Sequence, residues 1–171
     1  MLPSQLAAAM ALAITGVVLI AEQAPTPLST TSVSQTATSD SFACPVTKPN
    51  GPVESEYKNE FLGTGLWPNG TVVFEPGGPG FVEEDGSLEM KFPWTRFIKG
   101  QLTIDGHRLD GLAPPLRAHI PKGYGDTGFQ ATGLIFPTAG CWEVTGHVGK
   151  GHLTFVTRVV KVGDGPKRPS H

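Results

Sequence analysis

The stretch GCWEVTGHV, residues 140–148, decides the fold. Successive side chains of a strand point to opposite faces. Trp142, Val144, Gly146 and Val148 therefore share one face, and Cys141, Glu143, Thr145 and His147 share the other. A face that carries an indole and two valines is a core face. A GKG turn follows, and then HLTFVTRVVKV closes a hairpin. Cys141 is expected to point away from the core, toward solvent or toward a segment lying across the sheet.

The same two-residue rhythm recurs upstream. TVVFE (71–75) follows Asn69-Gly70, a strong turn dipeptide. In SLEMKFPW, Leu88, Met90 and Phe92 alternate with polar residues, and Pro93 is expected to end that strand or place it at a sheet edge. GQLTIDGHRL puts Leu102 and Ile104 on one face and offers a turn at Asp105-Gly106. LRAHIP turns Leu116, Ala118 and Ile120 one way and Arg117 and His119 the other. GYGDTGFQATGLIF ends in a strand carrying Leu134 and Phe136. No window after residue 44 shows amphipathic helical spacing. Six to eight short strands with frequent turn signals predict an all-β, antiparallel β-sandwich.

Composition supports this. The 171 residues include 22 Gly and 16 Pro, which favours short strands over long helices. A net charge of −2 offers no electrostatic basis for nucleic-acid binding. Residues 6–21, LAAAMALAITGVVLIA, form an apolar run of signal-peptide length. Residues 1–24 are read as a signal peptide or a membrane anchor, and the lack of a basic side chain before Lys48 also admits a misassigned start. Residues 25–43 form a Ser/Thr-rich flexible linker, residues 44–162 the sandwich, and residues 163–171 a disordered tail. The signal-peptide and anchor readings place the domain outside the cytoplasm, in a secreted, periplasmic or cell-surface location, with membrane contact only through an uncleaved N-terminal segment.

The only partner for Cys141 is Cys44, at the start of the domain. In an oxidising compartment an even pair of cysteines favours a disulfide over two free thiols. Closing a loop of about 100 residues would stabilise the fold by up to ~4.7 kcal/mol on the chain-entropy account.

The runs CPVTKPNGP, LWPNGTVVF, GYGDTGFQATGLIFPTAGCWEVTGHVG and LTFVTRVVKV resemble a family of bacterial secreted proteins with an immunoglobulin-like domain. FPTAGCWEVTG also resembles the end of many such exported modules, with Trp142 where they usually carry a tyrosine. The resemblance implies export and an immunoglobulin-like fold. The family has no assigned activity, so it transfers no functional residues.

Three constellations carry chemistry. A copper or zinc site from Cys141, His147 and His152 invites comparison with cupredoxins, but six residues along a strand span about 20 Å, too far for one ion. Met90 is the only methionine beyond the leader and lies on a core face. Catalysis finds no nucleophile elbow, metalloprotease motif or phosphate loop. Glu83, Glu84 and Asp85 form a turn-like acidic run in which calcium is a lesser reading. NGT at 69–71 matches a glycosylation acceptor, although the turn reading suffices for it. The last constellation is a binding surface from aromatics in or beside loops, Trp67, Trp94, Tyr124 and Phe129, with Arg96 and Lys99 nearby. The expectation is a non-catalytic extracytoplasmic module without cofactor, binding a glycan or protein through Trp67, Trp94, Arg96 and Tyr124. A small metal or redox protein is the alternative, and an enzyme the third.

Overall fold

A computed structural model describes residues 42–167, so the expected leader and most of the linker lie outside the described residues. The described chain forms β1 (Glu56–Lys58), β2 (Leu62–Gly65), β3 (Thr71–Phe74), β4 (Phe81–Val82), β5 (Leu88–Arg96), β6 (Leu102–Arg108), β7 (Arg117–His119), β8 (Gly128–Phe136), β9 (Gly140–Val148) and β10 (Gly151–Lys161). Its one helical feature is a 3₁₀ turn at Pro68–Gly70. The count exceeds the expected six to eight because β1 and β4 have only three and two residues. Segments that short carry no readable alternation.

Two sheets pack face to face. One has the order β1-β2-β5-β8-β7 with β4 also on β5, and the other has β3-β10-β9-β6. An immunoglobulin sandwich divides its strands A, B, E, D from C, F, G. Here β2-β5-β8-β7 and β6-β9-β10 follow that division in chain order. One departure from a wholly antiparallel arrangement is β3, which runs parallel to β10 through Arg158↔Thr71 to Lys161↔Phe74.

The core forms where the predicted faces meet. Trp142, Val144 and Val148 are buried, as are Leu88, Met90, Phe92, Leu102, Leu134 and Phe136. Phe92 stacks on Phe155 at 5.0 Å and meets Trp94 edge-on at 5.4 Å. In antibody domains a disulfide joins the two central strands across the sandwich. In this chain Trp94 of β5 fills that space against Gly146 of β9, where a Cβ would lie 2.6 Å from the indole. The hairpin turn has two residues, with Gly149 at φ 53° in its first central place, where a positive φ suits the strand twist.

Two local expectations are corrected. β5 runs through Pro93 and is a central strand. The Pro93 carbonyl accepts a 2.6 Å bond from the Thr64 hydroxyl, so its N-H-less nitrogen faces the same side. That side is the gap between the β2 pairing, ending at Trp94, and the β4 pairing, starting at Glu89. No ladder bond is lost there. Asp105-Gly106 makes no turn; β6 passes straight through it. A Cβ on Gly106 would sit 2.5 Å from the Glu143 carbonyl and 3.2 Å from Leu116, so glycine serves close approach here.

Residues beyond β10 stay attached as far as the described chain goes. Val82 N–H donates to the Pro166 carbonyl at 3.2 Å, and Gly165 and Pro166 are buried.

Candidate functional site

Cys141 shares the outer face of β9 with Glu143 and His147, as the alternation predicts. It is nonetheless only 1% exposed, because the strip beginning at Cys44 covers it. Cys44 and Cys141 are joined by a disulfide with a Cα–Cα distance of 5.5 Å across a sequence separation of 97. The strip continues to the β10 edge. There Thr47 N–H donates to the Val156 carbonyl at 2.9 Å, and Val156 N–H donates to Thr47 Oγ1 at 2.8 Å. With its sulfur bonded, Cys141 is removed from any metal constellation. His147 and His152 are cross-strand partners with ring centroids 6.2 Å apart, and His147 Nε2 lies 2.7 Å from Asp105 Oδ2. Among the described residues, no three His, Cys, Asp or Glu side chains are grouped to hold a metal ion.

The acidic run forms the β4–β5 turn, closed by Gly86 N–H to the Glu83 carbonyl at 2.9 Å. Asp85 takes bonds from the Ser87 hydroxyl at 2.5 Å and from Arg117 Nη2 at 2.7 Å. The Ser87 hydroxyl and N–H, and then Arg117, hold its carboxyl below the ordinary Asp range. Its oxygens are thus occupied by protein donors, which weakens the calcium reading.

The four candidate binding residues do not form one patch. Trp94 is 0% exposed and belongs to the core. Pro93 does not stop β5, and in the continuous strand Trp94 shares the inward parity of Phe92. Trp67 packs on Phe92 at 4.7 Å and on Phe136 and Phe155 at 6.3 and 6.4 Å. Its remaining edge borders a groove with Val46, Val53 and Leu66. Trp67 closes the end of the core.

Arg96 and Tyr124 do meet. Arg96 is the last residue of β5 and keeps the inward parity, so its guanidinium enters the open end of the sandwich. It is 4% exposed. Nη1 donates to the Gly100 carbonyl at 2.8 Å and Nη2 to the Gly125 carbonyl. Nε is buried without a partner, and Arg96 takes part in none of the ion pairs among the described residues. Gly100 N–H donates to the Asp126 carbonyl at 3.0 Å, and the Gln130 amide donates to the Pro121 carbonyl at 3.2 Å. These bonds fasten the turn after β5 and the loop before β8 around a cavity of about 510 Å³. Arg96, Gln101, Lys122, Tyr124, Asp126 and Gln130 line it.

Tyr124 is 39% exposed, and its ring lies 6.1 Å from that of Phe129, which is 58% exposed. Phe97, also exposed, stands on the same outer face: Phe129 pairs with Thr95, two residues before it. Phe97 was not among the expected residues. The strand parity of TRF would have found it, once β5 was read through Pro93.

The molecule is thus a disulfide-bonded β-sandwich with a pocket of mixed polar and apolar lining at one loop end. No protein-family model, no curated protein and no solved structure matches the chain. Among the described residues no helix is long and apolar enough to cross a membrane.

Proposed function

We propose that the chain is a non-catalytic, exported binding module that takes a small polar ligand, such as one unit of a glycan, at the loop end of its sandwich. The observation that carries this is the convergence of Arg96, Gln130, Lys122 and Tyr124 on one cavity of about 510 Å³, where Arg96–Gly125 and Gly100–Asp126 bonds fasten the two loops together. Binding pockets combine a concave wall with a few placed polar groups, and sites of this size suit small ligands. Exposed Tyr124 gives the pocket lining a flat apolar face of the kind recognition surfaces use. The disulfide is compatible with an oxidising compartment, which supports export. So does the resemblance to bacterial secreted immunoglobulin-like proteins. A metal or redox carrier is less well supported, since the one cysteine beside the histidines is spent on the cross-link.

The test is a panel of cell-wall glycans and their oligosaccharides, followed by amide-shift mapping of any binder. Shifts should concentrate at residues 97–101 and 121–130. Tyr124→Ala should weaken binding about tenfold while leaving the melting temperature unchanged. Binding that maps to the groove beside Trp67, or no binding across the panel, would refute this assignment.

A further inference from the structure

We infer that the loop-end pocket selects a carboxylate, and that its ligand is a uronate-type acidic sugar seated with its carboxylate on Arg96. This rests on the binding reading above and names the chemistry of that same site. The premise is the state of Arg96. A buried cation is costly unless it is paired and hydrogen-bonded. Arg96 is 4% exposed, its two hydrogen bonds go to neutral carbonyls, and its Nε has no partner. A guanidinium offers five N–H donors, so with Nε buried each Nη keeps one further N–H beyond its carbonyl bond. Their planar edge matches a carboxylate.

The pocket wall discriminates among anions. Asp126 lines it beside Lys122, with Lys99 Nζ 3.7 Å from Asp126 Oδ2. A singly charged carboxylate meets one buried cation and balances it. A phosphate brings a second negative charge toward Asp126 without a second buried cation. Tyr124, which lines the pocket and is 39% exposed, gives a sugar ring an apolar face to lie on, which a lone anion does not need. A peptide ending in a free carboxylate shares the charge but not the ring.

Calorimetry with the full chain tests this using the methyl glycoside of galacturonate, its methyl ester, inorganic phosphate, and an acetylated tripeptide with a free or amidated C-terminus. The galacturonate glycoside should bind at least tenfold more tightly than its ester, and more weakly as salt rises. Arg96→Lys should lose at least tenfold for the acid and little for the ester. The acid-to-ester ratio on the unaltered protein needs no variant, so it stands even if Arg96→Lys fails to fold. Equal binding of acid and ester would overturn the carboxylate inference and leave the binding reading intact. Tighter binding of phosphate, or of the free-carboxylate peptide alone, would overturn the choice of ligand. Absence of binding by every probe and by the glycan panel would remove both.

Discussion

Trp142 shows how much one side chain can do at a strand start. Its ring is buried beside Phe136 at 5.8 Å, and its Nε1–H donates to the Thr138 carbonyl at 3.0 Å, four residues upstream. Immunoglobulin domains use a tyrosine hydroxyl for this corner bond. Trp142→Phe keeps a buried ring but loses the bond to the Thr138 carbonyl, which lies at an exposed residue open to water, so a loss of about 0.5–1.5 kcal/mol is expected in urea unfolding. Gly146→Ala should cost about 1–3 kcal/mol by overpacking, because its methyl would drive into Trp94. Asp110 gives a pH signature. Partial burial raises its pKa, but the 2.6 Å bond from Arg108 and the Cys141 N–H outweigh this and leave it below the ordinary value. A lowered carboxylate pKa stabilises the fold fully above the unfolded Asp value of about 3.9, and that share disappears as pH falls through the folded value. Asp110→Asn should therefore flatten the decline in melting temperature below about pH 4; an unchanged slope would show that Asp110 contributes nothing to it.

At the scale of elements, edges and gaps explain what the pattern of residues concealed. Alternation in residues 140–148 was legible because a nine-residue strand repeats its signal several times. Pro93 misled because a proline's penalty depends on which neighbour its nitrogen faces, and that is a property of the sheet. Gly106 misled because glycine serves tight turns and close packing alike. The edge of β10 is the element most exposed to change. β3 covers it only from Arg158 onward, and the Thr47 bonds cover Val156. Reducing the disulfide should raise amide exchange at Val156 well before that at Phe155 or Leu153, as the strip loosens from the edge. Equal protection in both redox states would mean that the strip holds without its cross-link.

For the whole molecule, the cross-link ties the first described segment to the centre of the second sheet. Cys44→Ser with Cys141→Ser should lower stability by about 2–5 kcal/mol, a large share of a domain's net stability. A double variant melting at the same temperature would show that the strip's hydrogen bonds suffice. The sequence alone determined the two-faced strands, the inward tryptophan, the outward cysteine and the partner it had to find. Those follow from local geometry, since side-chain direction in a strand depends only on position along it. Which loop residues meet was decided by the tertiary structure. Arg96 and Tyr124 come together, while Trp67 and Trp94 go to the core, because loops 28 residues apart converge only when β5 and β8 pair side by side. That pairing is what leaves the Arg96 guanidinium buried at the end of the sandwich without a counter-charge.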